Sequence, residues 1–300
     1  MKILIPSKQN EVKIVKQPVI TQREINKIIK YQKLVQQEGY RPFITVRNSN
    51  SVGLSHIIFS HKTGRTHHLL SNGELEAFIN FEHDPSVLDI YEQYPLPLNE
   101  TIECASSLNI YHPAKYKERD HDTKIIPAAT MTTDFVLLKR DIRSGQNVLQ
   151  PMYYKPSSEF CRKNTSAQRV SRTMSKFQIE QAYWENNGYS LIQCDENTFN
   201  SKKTYNLRWL RECYQHSSSL NVPEDLYTSL LLTLTENVRC MPTETLKSQL
   251  QFIATTLNMK LVQVMYLFQH ACYTNSLPVD LNTKIELYRP LSLMVDRHDH

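Results

Sequence analysis

Two capping-box patterns frame the chain. Thr21 with Glu24, and Ser71 with Glu74, each set a hydroxyl and a carboxylate three residues apart at the head of an apolar run of helical period. The first run, Ile25, Ile28, Ile29 and Val35, ends at Gly39; the second, Leu75, Phe78 and Ile79, predicts a helix over residues 72–82 before Pro85. Between them, residues 42–47 and 54–60 are β-prone and separated by the polar turn Asn48-Ser49-Asn50-Ser51. Strand-like segments follow at 87–91, 132–139 and 148–154, the last two joined through a Ser144-Gly145 turn, with a polar loop over 107–130. A helical pattern over 167–187 stops at Gly188, and 189–194 is a further short strand. This order suits an α/β fold in which a mixed sheet is flanked by helices. The chain has 6 glycines, none in a phosphate-binding GxGxxG or GKS setting, which excludes a doubly wound nucleotide binder.

The 300 residues are 40% hydrophobic and 22% charged, a globular composition. No stretch approaches the ~18 to 20 apolar residues of a membrane helix, and the N-terminal sequence has no signal-peptide centre. The expectation is a bacterial cytoplasmic protein that does not engage a membrane. Cys104, Cys161, Cys194, Cys213, Cys240 and Cys272 form no CxxC pair and are expected to be reduced thiols.

Charge is uneven. The net +5 conceals 12 Lys or Arg against Glu11, Glu24 and Glu38 in residues 1–65, or +9, leaving −4 for the rest. Further basic clusters lie over 155–176 and at Lys202, Lys203, Arg208 and Arg211; each could follow a phosphate backbone or simply be solvated surface. Ser217, Ser218 and Ser219 before Pro223 look like a linker. Beyond it three helices over 226–234, 243–257 and 260–273, then two β segments within 277–288, suggest a winged helix. Its local balance of −2 points to a protein partner rather than DNA. The organisation expected is a basic arm and helix at 1–50, an α/β core at 51–200 and a helical, winged-helix-like domain at 201–300.

Three side chains have residue types suited to one metal site: Glu74 on a helix, Asp134 inside the apolar strand Thr132-Thr133-Asp134-Phe135-Val136, and Lys155 after the next strand. Two carboxylates supply hard oxygen ligands for Mg²⁺, and a lysine offsets charge on a phosphoryl group. An aspartate among apolar strand residues is costly without a metal or a donor. Each also has a plain reading: Glu74 as a helix cap, Asp134 satisfying a backbone donor, Lys155 as surface. Glu180 on the following helix is an additional candidate carboxylate. His67-His68 and the group His112, Asp120, His121 and Asp122 are weaker metal candidates, and Tyr183 and Trp184 suit a core better than a base-stacking platform.

The segments SHKTGRTHHLLSNGELEAF (60–78), SVLDIYEQYPL (86–96), MTTDFVL (131–137), YYKP (153–156) and QAYWENNGY (181–189) resemble the TnsA family over about residues 50–210. That resemblance implies a restriction-endonuclease-like core of the PD-(D/E)XK superfamily. It places the catalytic positions on Glu74, Asp134 and Lys155, with Glu180 at a further acidic position. It also implies hydrolysis dependent on Mg²⁺ or Mn²⁺, with one or two ions, at the 5′ ends of a transposon. The TnsB transposase would make the 3′ cuts, and the ATPase TnsC would be a further partner. The superfamily carries Glu or Asp two residues before the lysine and TnsA relatives tend to carry Gln, whereas this chain has Tyr153, a phenol that cannot replace a carboxylate ligand. The resemblance leaves Glu180 or the Tyr154 carbonyl to complete the metal shell. The competing reading is a noncatalytic adaptor that keeps the nuclease fold and bridges transposase, ATPase and DNA. Transposon-end DNA is expected to contact Lys13, Lys16, Lys27 and Lys30 of the arm, together with Arg65, Arg162, Lys163, Arg169 and Arg172.

Overall fold

The computed structural model describes residues 15–49, 53–120, 122–160 and 166–294. In chain order it contains α1 (Gln22–Glu38), β1 (His56–Ser60), β2 (Arg65–Leu69), α2 (Asn72–His83), β3 (Val87–Pro95), α3 (Leu98–Ser107), β4 (Thr132–Arg140) and β5 (Asn147–Tyr154). Then follow α4 (Ala167–Asn186), β6 (Ile192–Cys194), α5 (Ser201–Leu210), α6 (Glu224–Cys240), α7 (Leu246–Thr256) and α8 (Leu261–Tyr273). The mixed α/β class read from the sequence holds. The chain divides into two compact units that cut across the expected boundaries: Met1–Asn50 with Ile90–Gln193, and Ser51–Asp89 with Cys194–His300.

The first unit is built on a sheet of order β3-β4-β5-β6, with β4 and β5 antiparallel from Phe135 opposite Met152 to Arg140 opposite Asn147. The hairpin turns as the sequence suggests. Gly145 takes φ +69°, and Asp141 Oδ1 accepts the amides of Arg143 and Ser144 at 2.7 and 2.8 Å. Apolar positions of β4 and α4 meet in a core of Val136, Ile179, Tyr183 and Trp184 with Leu96, Cys104 and Met131. The Trp184 indole N–H donates to Thr133 Oγ1 at 2.8 Å, so this ring is core, as its setting suggested.

Two expectations in this unit fail for identifiable reasons. Thr21 is the N-cap of α1 but makes no side-chain cap bond; the Glu24 carboxylate is drawn instead to Lys115 and to the Thr130 hydroxyl. Residues 42–47 form no strand. Phe43 packs edge-on against Tyr31 and donates its amide to the Gln93 carbonyl, and the chain then coils into a short 3₁₀ turn at Val46–Asn48. Helix α3 was not foreseen, because its apolar positions are few; its buried side is Leu98, Thr101, Cys104 and Ala105.

In the second unit β1 and β2 form a hairpin, and α2 begins at Ser71, whose hydroxyl accepts the Glu74 amide at 3.1 Å. The three expected C-terminal helices are α6, α7 and α8, packed around Leu230, Leu234, Leu250, Ile253 and Phe268. Ser217–Ser219 are no linker: they lie in a 3₁₀ run, Arg211–Leu220, anchored by buried Arg211 and Cys213 and by Gln263, which donates to Ser219 O. Over 277–288 no continuous strand forms; Val279 makes an isolated antiparallel bridge to Leu293, with the Asp280 amide donating to the Ser292 carbonyl and the Met294 amide to the Pro278 carbonyl. The carbonyls of Leu287 and Arg289 are taken by the first amides of α7, and Asn206 binds the carbonyls of Leu281 and Thr283 and the amide of Ile285. From Leu281 to Arg289 these backbone groups serve Asn206 and α7.

Candidate metal and phosphate site

Strand β4 carries Asp134, the end of β5 carries Tyr153, Lys155 follows it, and α4 brings a stripe at helical spacing: Arg169, Arg172, Thr173, Lys176 and Glu180. These side chains, with Glu159 and the 129–132 segment, line one cavity of about 460 Å³ that lies wholly within the first unit. The hairpin register sets the geometry. With Phe135 opposite Met152, the Tyr154 amide reaches Asp134 and donates to its Oδ2 at 2.9 Å.

The cavity is lined by two mutually repelling carboxylates, Asp134 and Glu180, together with cations. Burial pushes the Asp134 carboxyl up, opposed by Lys155, the Tyr154 N–H, the Gln93 amide and Lys176. Glu180, 2% exposed, is pushed well up by burial and then by the Asp134 charge, with the Thr133 hydroxyl, Lys155 and Lys176 pulling the other way. The Lys176 amine is lowered by burial and by Lys155 beside it. Tyr153 stays a phenol: burial, then Asp134 and Glu180, raise its pKa, and its ring packs on Phe177 with centroids 5.1 Å apart.

These residues fit a divalent cation. Glu180 Oε1 is buried with no hydrogen-bond partner, so an uncompensated acceptor faces a second carboxylate, the arrangement a cation relieves. Among the described residues no three of His, Cys, Asp and Glu converge on one point. Mg²⁺ keeps several waters and uses one or two carboxylates plus substrate phosphate, a number the pair Asp134 and Glu180 can supply.

Of the residues singled out in the sequence, Asp134, Lys155, Glu180, Arg169 and Arg172 line this one cavity. Arg169 is held by Glu159, Nη2 to Oε1 at 2.6 Å. Glu74 belongs to the second unit, where its Oε2 accepts the Leu70 amide at 2.8 Å and its Oε1 the Ser71 hydroxyl at 3.4 Å. It therefore completes a helix cap. Tyr154 contributes its amide to Asp134. Lys13, Arg162, Lys163 and His121 lie outside the described residues. Lys16 and Lys30 are exposed, Lys27 sits 4.3 Å over the Phe43 ring, and Arg65 in the second unit faces Asp89 at 3.5 Å. His112 is structural, bonded to Thr101 Oγ1 and the Pro113 carbonyl.

Sequence reasoning missed Lys176 as a member of the site and Gln93 as a neighbour of Asp134. Lys176 was legible, since Arg169, Arg172, Lys176 and Glu180 recur at steps of three and four. Gln93 was not, because only tertiary structure brings β3 beside β4.

Residues 84–196 match the family model described as TnsA-like endonuclease N terminal. The chain is also 34% identical, over 173 residues, to the transposon Tn7 transposition protein TnsA of Escherichia coli, a match covering 58% of this chain and 56% of that protein. The chain thus spans little more than half the length of that relative. The matched family segment contains Asp134, Lys155 and Glu180.

Proposed function

We propose that this chain, whose residues 84–196 match the TnsA-like endonuclease N-terminal model, is a divalent-metal-dependent nuclease subunit that hydrolyses phosphodiesters at the 5′ ends of a transposon. The observation that carries this reading is the shared cavity of Asp134, Glu180 and Lys155, with the orphaned Glu180 oxygen. Asp134 and Glu180 would hold one Mg²⁺ or Mn²⁺. When bound, such an ion supplies Lewis-acid polarisation of the phosphoryl group and a water of lowered pKa. Lys155 presents its ammonium where negative charge develops on the phosphoryl oxygens or orients the attacking water. Arg172 and Lys176, one turn apart on α4, take flanking phosphates. A second ion, and Glu74 as a further ligand, are the finer points of the resemblance, and Glu74→Gln tests the latter by keeping an acceptor for the cap.

We place the chain in an assembly with a TnsB-type transposase, a TnsC-type ATPase and transposon-end DNA, in which 5′ cutting complements 3′ cutting to release the element. No helix among the described residues is long and apolar enough to cross a membrane. The adaptor reading is favoured by one observation, the buried phenol of Tyr153 where the superfamily carries a carboxylate. The two separate on strand-specific nicking of end DNA with partners and Mg²⁺ present. Asp134→Ala, Glu180→Ala and Lys155→Ala should each abolish 5′ cutting while leaving assembly intact; undiminished cutting in all three leaves only the adaptor.

A further inference from the structure

Ile44 lines two cavities of the first unit. One is the metal and phosphate site; the other, of about 610 Å³, has the first turns of α1 in its wall. The segment that follows α3 also serves both, Pro113 lining the first cavity and Lys115 and Glu118 the second. The two hollows therefore adjoin along Ile44 and this segment.

The second cavity is a frame of ion pairs around one unpaired cation. Arg23 Nη1 lies 3.2 Å from Glu118 Oε2, and Lys115 Nζ is bonded to Glu24 Oε2 and lies 3.9 Å from Glu118 Oε1. The Thr130 hydroxyl donates to Glu24 Oε1 at 2.8 Å. Arg23, Lys27 and Lys115 against Glu24 and Glu118 leave a surplus of one positive charge. That surplus falls on Lys27, which has no ion pair among the described residues and whose Nζ stands 4.3 Å over the Phe43 ring centroid. The ring is itself fixed, edge-on to Tyr31 with centroids 5.2 Å apart. An aromatic face holds an ammonium without neutralising it, so the charge and its N–H donors stay available to an anion. A phosphodiester carries a single negative charge, which matches the surplus; a terminal phosphate carries about −1.5 to −2.

We propose that this cavity is a second phosphate subsite. A phosphodiester of the strand whose reacting bond lies at Asp134 and Glu180 passes Ile44 and sits against the Lys27 ammonium. The pairs of Arg23 with Glu118 and Lys115 with Glu24 keep the rest of the cavity near neutral and limit it to one phosphate. Such a contact positions the strand and carries no base information. The inference deepens the nuclease reading of Asp134, Glu180 and Lys155 and rests on it.

The test is fluorescence-anisotropy binding of the full chain, in EDTA so that nothing is cut, to a transposon-end duplex whose phosphates are replaced one at a time by neutral methylphosphonate. Lys27→Met should weaken binding to every sequence alike and lower the slope of log K against log salt by about one. One methylphosphonate near the cleaved bond should weaken the wild type yet leave Lys27→Met unaffected, and Lys27→Arg, which keeps the charge, should restore both readouts. An unchanged slope in Lys27→Met, or a loss with no such silent position, overturns the proposal. So does the same result in Lys33→Met, which alters an exposed lysine of α1 outside the cavity, and so does absence of wild-type binding at low salt. Inorganic phosphate binding that is lost in Lys27→Met while DNA binding is unchanged would assign the cavity to a free anion and overturn it too. Failure of the nuclease reading shows separately, as undiminished 5′ cutting in Asp134→Ala, Glu180→Ala and Lys155→Ala.

Discussion

Replacing Glu180 with glutamine should stabilise the metal-free protein and abolish its response to Mg²⁺. Glu180 is 2% exposed, its Oε1 has no partner, and burial and the Asp134 charge both disfavour its ionised form. A buried unsatisfied polar group costs about 1–3 kcal/mol, and more when charged. The amide keeps the shape and escapes the repulsion, so a gain of about 1–3 kcal/mol is expected, or ~2–4 °C in Tm per kcal/mol for a body of this size. The pH sign follows from a folded pKa raised above 4.5. The penalty is absent below the unfolded value, grows as pH climbs through the interval up to the folded value, and is fully present above it. The advantage of Glu180→Gln should therefore be full above the folded pKa and vanish below the unfolded one. With Mg²⁺ at a hundredfold excess over Kd, the wild type should gain about 2.7 kcal/mol and the variant almost none. Thermal unfolding across pH, with and without Mg²⁺, reads both effects. A Gln variant less stable than wild type without metal, or one that keeps the wild-type Mg²⁺ shift, refutes the reasoning.

Tyr153→Phe should retain 5′ nicking within about threefold, because a phenol held protonated supplies no anionic ligand; loss of about a hundredfold in kcat would instead make the hydroxyl part of the chemistry. In the second unit Arg211 donates to both Glu82 oxygens and to the Phe59 carbonyl, while Tyr273 donates to Glu82. Arg211→Met strands that buried carboxylate and should lower stability by about 3–5 kcal/mol in urea unfolding, with Arg211→Met/Glu82→Leu recovering much of the loss. Reversing Arg172 and Lys176 to Glu should weaken DNA binding and lower the slope of log K against log salt by about two; an unchanged slope would place the DNA elsewhere.

What could be read from the sequence was what local chemistry decides. Ser71, Gly145 and the periodicities of β4, β5 and α4 each fix a piece of backbone by interactions within a few residues, and those pieces form where they were expected. Asp134 stood out for the same reason: an ionisable group among apolar strand residues needs a partner, and here two lysines, Lys155 and Lys176, and the Tyr154 N–H oppose the cost of burying it. The misreadings share another cause. Residues 42–47 have β-prone composition but are held by Phe43 docking on Tyr31 and Gln93, and within 277–288 Leu281, Thr283, Ile285 and Leu287 give backbone groups to Asn206 and the start of α7. Both segments satisfy hydrogen bonds through residues dozens of positions away, which propensity cannot register. Thr21-Glu24 makes the same point at a single residue. A capping box is worth about 1 kcal/mol, so a lysine and a hydroxyl from distant chain, Lys115 and Thr130, outbid it for the carboxylate. The ambiguity of Glu74 has the same origin, since one sequence pattern encodes both a cap and a ligand. Its cap is satisfied within four residues, the range over which a local sequence pattern acts.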